Sequence, residues 1–438
     1  MDNLKQLVAY TIDKAKQLGA QDASCSAIHA RELELSWRKA KIETLASAGQ
    51  SALGIELYVD GRYGAYSTSD LRRESVSAFL EKNIAMTRLL DPDPARGLAD
   101  PKRYENRSNV DLQLFDPKVA ELSPENATDI CKKLEDAVLT HKEIPITDAT
   151  TSVGIGTSER YSATSNGFEG SRKTTSAQVF ASIVVADGDK KPSDYAYTSA
   201  RHIEDLASID DIASEAAYFA SLRIGQKKLP SANRTLILDR RTASSFVTRY
   251  ISPISGSALI RKQSYFDQKI GQKLASDLFD LHDDPLRIRG LGSQLFDAEG
   301  MSAQKAPVFD KGTLRQFFLD NYSARKLELD ATTAAPSQLV LTPGSRDLAA
   351  MIKDVNDGIY VIGFLGGNMD PVRGDFSYGI VGVAIENGQL TQHVSEMNIT
   401  GNFTDIMLRL SEVGNDPKRD ATHQIPSLRF DDVAFSGT

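Results

Sequence analysis

Ser377 stands between Gly374 and Gly379 in the stretch GDFSYG, with Asp375 two residues before it and His393 sixteen residues after it. A serine, an acid and a histidine are the parts of a nucleophilic hydrolase, in which the imidazole takes the hydroxyl proton and the acid orients the imidazole. The spacing argues against that use. A nucleophile elbow is G-x-S-x-G on a sharp strand-to-helix turn. Here the first glycine is one residue too far away, and the strand-and-hairpin pattern IVGVAIENGQL follows in place of a helix. Ser377 is therefore expected on a strand, where small residues let another backbone come close.

Metal chemistry finds no better footing. The histidines are His29, His141, His202, His282, His393 and His423. No two lie three to five residues apart and none is followed by glutamate, so neither H-E-x-x-H nor a local zinc pair is present. LHDDP (281–285) reads as an acidic turn in water. GFLGGN (363–368) lacks the lysine and Ser/Thr of a triphosphate loop and reads as a turn or bulge. Residue by residue, the chain shows no complete catalytic constellation.

The elements that would position these residues belong to a large protein of ordinary composition. The chain has 438 residues, 41% hydrophobic and 25% charged, which calls for two or three domains. A net charge of −8 gives no basic footprint for nucleic acid. No apolar run approaches the ~18 residues of a membrane span. The first nineteen residues carry acids and no apolar core of a secretory signal, so a cytosolic location is expected. Cys25 and Cys131 are the only cysteines, 106 positions apart, and a reduced compartment fits them.

Leu4, Val8, Ile12 and Ala15 recur at helical spacing and predict a helix over 1–19. Residues 53–67 alternate as strands around the hairpin turn Asp60-Gly61, and 70–90 return to helical period. Ser123, Pro124 and Glu125 mark a helix start for 123–141. Long antiparallel strands with turns at Asn166-Gly167 and Asp187-Gly188 follow, then a helix near 203–224. The order helix, strands, helix thus occurs twice, a duplication of elements without a repeated motif. The expected fold is α+β. Residues 1–224 form an N-terminal α+β region of antiparallel sheets and flanking helices, with possible units 1–115 and 116–224. The polar segment 225–234 is a linker. Residues 235–438 form a strand-rich domain, a curved sheet or barrel with one or two helices, one of them at 241–252.

The C-terminal half carries FDAEG (296–300), DNYSARKLEL (320–329), GDFSYGIVGVAIENGQL (374–390), VSEMNITGN (394–402) and VGND (413–416). In order and spacing these motifs, across about 120 residues, resemble the TldD/PmbA family, once called modulators of DNA gyrase, in its PmbA (TldE) branch. A weaker likeness extends over nearly the whole chain. The resemblance implies an α+β N-terminal region, a β-rich C-terminal domain and a peptidase system of two branches. The TldD branch holds zinc with an H-E-x-x-x-H helix and a later cysteine. The PmbA/TldE branch lacks those ligands and pairs with TldD in a heteromer that acts on unfolded peptides.

Carried onto this sequence, the zinc helix falls in VTRYISPISGSALIRKQS (247–264). Thr248 stands at the first histidine, Arg249 at the glutamate and Pro253 at the second histidine. No histidine occurs from 203 to 281, and both cysteines precede residue 132. The resemblance therefore implies no catalytic residue and no metal in this chain, with zinc only in a TldD-type partner. Tyr322, Arg325, Asp375, Phe376 and Ser377 are the cleft or interface candidates, with an internal Arg325–Asp375 ion pair as the structural alternative. Three readings stay open: a non-catalytic subunit paired with a TldD-type paralogue, a stand-alone homodimeric peptide-binding or regulatory protein, and an independent peptidase with an unrecognised site. None of them involves nucleic acid or a membrane.

Overall fold

The computed structural model describes residues Met1–Thr438. Helical spacing at the start becomes α1 (Asp2–Gln17), with Leu4, Val8, Ile12 and Ala15 all buried on one face. β1 (Asp22–Arg38), β2 (Lys41–Val59) and β3 (Arg62–Thr68) follow. Asp60 and Gly61 join the last two at φ of 50° and 72°, the two positive values that this tight turn requires. α2 (Arg73–Thr87) comes next, and one turn, α3 (Pro117–Ala120), leads to α4 (Pro124–Leu139). Ser123 and Asn126 cap α4 reciprocally, so the helix start read from SPEN is a capping box. β4 (Ile146–Thr164), β5 (Glu169–Val185), β6 (Ser193–Ala200) and α5 (Ile209–Ser221) then repeat the order of helix, three strands and helix.

All six strands form one sheet, in the order β3-β2-β1-β4-β5-β6. β1 and β4 meet antiparallel from Ser24↔Thr164 to Arg38↔Thr150, so the halves 1–115 and 116–224 share a sheet. β1 serves two cores with one face. Its Ala23, Cys25 and Ala27 pack with α1 and α2, and its Leu33, Leu35 and Trp37 pack with α4 and α5. This alternation by two is what places them on the same side.

The segment expected as a linker is pinned. Lys227 bridges to Val394, and Ala232–Arg234 already belong to β7 (Ala232–Leu238). After β7 come α6 (Arg240–Ile251), α7 (Gly256–Ile260), β8 (Leu281–Asp283), β9 (Ala306–Asp310), β10 (Thr313–Leu314) and α8 (Asn321–Leu327). β11 (Leu339–Leu341), α9 (Leu348–Lys353), β12 (Asp357–Met369), β13 (Asp375–Glu386) and β14 (Gln389–Asn402) follow. The chain ends with α10 (Phe403–Ile406), β15 (Leu410–Val413), β16 (His423–Gln424) and β17 (Leu428–Ser436).

The strand-rich domain is a closed barrel. Its sheet runs β14-β13-β12-β7-β17-β15, and β14 also pairs with β17 at Ile399↔Phe435, which closes the ring. β7 and β12 are parallel, and the other barrel pairs are antiparallel. A smaller sheet, β10-β9-β8-β11-β16, lies beside it. Phe246 and Tyr250 of α6 are fully buried in the core between them.

Candidate functional site

α6 is built inward from its cap. The Asp239 carboxylate accepts the Arg241 N–H at 2.8 Å and the Tyr360 hydroxyl of β12 at 2.7 Å. Burial pushes this carboxyl up, while Arg241 and the Tyr360 hydroxyl pull it down. Thr242, Ala243, Phe246, Val247, Tyr250 and Ile251 are the buried face of the helix. Phe246 meets Phe376 and Phe430 edge-on, each with ring centroids 5.7 Å apart. That stripe leaves Thr248 exposed and Arg249 half-buried on the outer side.

The outer side holds no donor set for zinc. Thr248 Oγ1 lies 2.8 Å from the Ser244 carbonyl and 3.0 Å from His423 Nδ1. The carbonyl can only accept, so the single hydroxyl hydrogen goes to it and His423 donates from Nδ1 to Oγ1. This is the opposite polarity to a base that would take the threonine proton. Burial also lowers the His423 pKa, which keeps the ring neutral at pH 7. The Arg249 guanidinium lies 4.9 Å from the Tyr378 ring centroid and 5.3 Å from that of Phe364, and it bonds Ser245 Oγ. Pro253 is buried in a 3₁₀ turn beyond the helix end. Zinc takes imidazole, thiolate or carboxylate. A hydroxyl already committed to its helix, a guanidinium and a proline do not fit it. One imidazole, His423, is close by, and no three His, Cys, Asp or Glu side chains are grouped to hold a metal ion.

The N-terminal end of α6 borders an open cleft of about 1360 Å³ between the α5–β6 edge of the six-stranded sheet and the barrel domain. Asp239 and Arg240 line it, as does Gln424, the neighbour of His423. Arg240 pairs with Glu215 at 2.7 Å, and Arg289 pairs with Glu204 at 2.6 Å. Arg287 and Arg419 also line the cleft, and no carboxylate lies within ion-pair distance of either. Tyr218 and Ile288 add apolar surface, 43% and 57% exposed.

Residues 23–87 match the PmbA/TldA metallopeptidase domain 1, residues 117–224 the central domain and residues 231–437 the C-terminal domain. The chain belongs to the PmbA/TldA metallopeptidase family. Metalloprotease PmbA of Escherichia coli O157:H7 is 28% identical over 411 residues, covering 92% of this chain and 90% of that protein. The crystal structure of a Bacteroides thetaiotaomicron protein described as a modulator of DNA gyrase is 38% identical, with a TM-score of 0.97 and full coverage of both chains. TldE from Thermococcus kodakarensis shares the fold, with a TM-score of 0.85 at 21% identity over 98% of this chain and 100% of that one.

The PmbA/TldA motif residues fall in two separate places. Arg325 does not pair with Asp375. It donates to the Ala95 and Leu98 carbonyls at 3.2 and 2.6 Å, while Asp375 takes Arg373 at 3.3 Å and Asn402 at 3.0 Å. Tyr322 lies under Arg96, 3.6 Å from the guanidinium carbon to the ring centroid. Both α8 residues therefore clamp the 93–98 segment to the barrel domain. Phe376 is core, 5% exposed, with its ring 4.8 Å from that of Phe403. Ser377 pairs with Asn368 and Thr400 in the barrel wall, and Gly367, at φ 119°, sits against its carbonyl with no room for a Cβ. The close backbone approach expected at this serine is thus present. His393 pairs with Val383, six residues along β13 and so ~20 Å away. None of the five residues lines the cleft. Sequence reasoning missed His423, Arg287 and Arg419, which carry no local motif and are brought to the site by the fold.

Proposed function

We propose that this chain is the metal-free subunit of a two-part cytosolic metallopeptidase. A TldD-type partner carries the zinc, and this chain helps hold an unfolded peptide for it. The observation that carries the reading is the outer side of α6 and the turn that follows it, where Thr248, Arg249 and the buried Pro253 offer zinc no ligand. The cleft supports the holding role. It is larger than the 300–1,000 Å³ of ordinary small-molecule sites. Arg287 and Arg419 offer it positive charge for a peptide's carboxylates. The zinc subunit supplies the Lewis acid and the activated water, and this subunit supplies wall and orientation. No helix here is long and apolar enough to cross a membrane.

Co-expression with a paralogue bearing H-E-x-x-x-H, followed by size-exclusion chromatography and a peptide-cleavage assay, tests this. The pair is expected to co-elute and to cleave only without chelator, while this chain alone cleaves nothing. Chelator-insensitive cleavage by this chain alone would overturn the reading. So would a paralogue that is fully active without it.

A further inference from the structure

One strand pairing sets two like charges against each other. Arg160 of β4 stands directly opposite Arg172 of β5. Tyr161 and Ala163 pack on the α1 side of the six-stranded sheet, so alternation turns both arginines to its open face. Like charges in directly opposed positions of a sheet are destabilising. No carboxylate lies within ion-pair distance of either guanidinium. Arg172 is held by neutral acceptors, donating from Nη2 to Gln294 Oε1 at 2.9 Å and to the Phe296 carbonyl at 3.0 Å. Arg201 adds a third charge close to Arg172. It donates to the Thr175 and Leu291 carbonyls, and its Nε is buried without a partner. Burial and the neighbouring Arg172 push its pKa down to about 10, and burial and Arg160 push that of Arg172 down as well. Amide oxygens satisfy these donors without neutralising their charge, whereas buried charges are ordinarily paired.

Arg160 and Arg172 line a pocket of about 360 Å³ between this face and the 294–298 segment of the barrel domain. The Ser24, Ser26 and Ser162 hydroxyls line it too, and none of them has a partner in the protein. Two acids also border it, each committed elsewhere. Glu56 takes the Tyr63 hydroxyl at 3.0 Å. It pairs with β1 at Ser24, while Arg160 pairs at Ile28, four residues and ~13 Å along the strand. Asp297 takes the Glu299 and Met301 N–H groups on one oxygen at 2.9 and 3.0 Å, and its other oxygen is buried. The pocket shares no lining residue with the cleft beside α6.

We propose that this pocket is a binding site for a small dianion, a phosphate monoester or a dicarboxylate, seated between the Arg160 and Arg172 guanidiniums. Two opposed cationic side chains call for two negative charges, and planar guanidinium forks match the paired oxygens of phosphate and carboxylate. The free serine hydroxyls supply further donors to a group that only accepts. The volume falls at the low end of the roughly 300–1,000 Å³ of small-molecule sites. A dianion there turns the repulsion between β4 and β5 into attraction, and through Arg172 it ties the 294–298 segment to the sheet. The site does not rest on the peptidase reading, since it operates in the chain alone.

The test uses the full chain, dialysed free of phosphate into a chloride buffer. Calorimetric titration with inorganic phosphate and with succinate is expected to show saturable binding of at least one of them, and that anion should raise the melting temperature. Binding of phosphate alone marks a site for phosphate esters, and binding of succinate alone marks one for dicarboxylates. Sodium chloride at matched ionic strength is expected to leave the melting temperature unchanged. Arg160→Gln, at an exposed position with no ion pair to lose, is expected to weaken binding at least tenfold. Without the anion its melting temperature should equal or exceed that of the wild type, because the like-charge pair is gone. A lower one overturns the like-charge argument on which the site rests. Arg31→Gln removes an exposed arginine from the other face of the same sheet and should leave binding unchanged. A wild-type chain that binds neither anion overturns the proposal. Equal loss of binding in the two variants, or binding indifferent to Arg160→Gln, overturns it as well.

Discussion

Ser377 has no hydrogen-bonding partner for its hydroxyl and no histidine near it, so its removal should be felt little. Ser377→Ala is expected to shift unfolding by less than ~1 kcal/mol and to leave peptide cleavage by the proposed pair unchanged. A cleavage loss of ~10³-fold in a folded variant would restore the serine as a nucleophile. Glu299 behaves differently. Burial pushes its carboxyl up to about 7, with repulsion from Asp297 and Asp320 adding to it, against the bonds from the Asn321 N–H at 2.9 Å and Asn321 Nδ2 at 2.7 Å. The folded state therefore holds a proton that the unfolded chain releases near the ordinary glutamate value of 4.5. Stability from this group is fully present below about 4.5 and is lost as pH rises to about 7. Glu299→Gln, which cannot ionise, is expected to flatten that part of the pH profile of the urea midpoint. A profile identical to the wild type would show that the proton sits elsewhere.

At the scale of the element, α6 is a helix whose inner side is packed in the core of the C-terminal domain and whose outer side presents Thr248 and Arg249. Its period was legible: Ala243, Phe246, Val247, Tyr250 and Ile251 repeat at three and four. Its anchorage was not, because the hydroxyl on the capping Asp239 comes from Tyr360, 121 residues away. Asp239→Ala removes the cap and strands the Tyr360 hydroxyl, a loss of about 2–3 kcal/mol in equilibrium unfolding. A change below ~0.5 kcal/mol would mean that α6 is held by packing alone. The outer side makes its own prediction. Elemental analysis after dialysis against trace zinc should find no stoichiometric zinc in the purified chain, since Thr248, Arg249 and Pro253 cannot coordinate it. About one tightly held zinc per chain would refute this.

At the scale of the whole molecule, the cleft exists only because the shared six-stranded sheet and the barrel meet. Its walls are α5, β6, the start of α6 and the loops around 287–291 and 415–420. Arg287→Glu reverses an unpaired charge there without touching the core. In the assembly proposed above, it is expected to raise KM for an acidic peptide ~3- to 10-fold with kcat little changed, the mark of lost binding common to ground and transition states. Unchanged KM would move the peptide out of this cleft.

Local pattern alone determined a good deal of this protein. The amphipathic α1, the capping box at Ser123, the turn at Asp60-Gly61 and the strand-rich second half are each set by side chains a few residues apart, where backbone preference and burial act together. The ordered motifs from FDAEG to VGND likewise pointed to the family without any geometry. The tertiary structure alone decided what depends on distant partners. It closed the barrel through Ile399 and Phe435, joined β7 to β12 in parallel across more than a hundred residues, and set His423 against Thr248. It also sent Arg325 to the Ala95 and Leu98 carbonyls instead of Asp375. An arginine and an aspartate in neighbouring motifs suggest a pair by charge. Which partner an arginine meets depends on which surfaces the packed cores bring together, and no spacing along the chain encodes that.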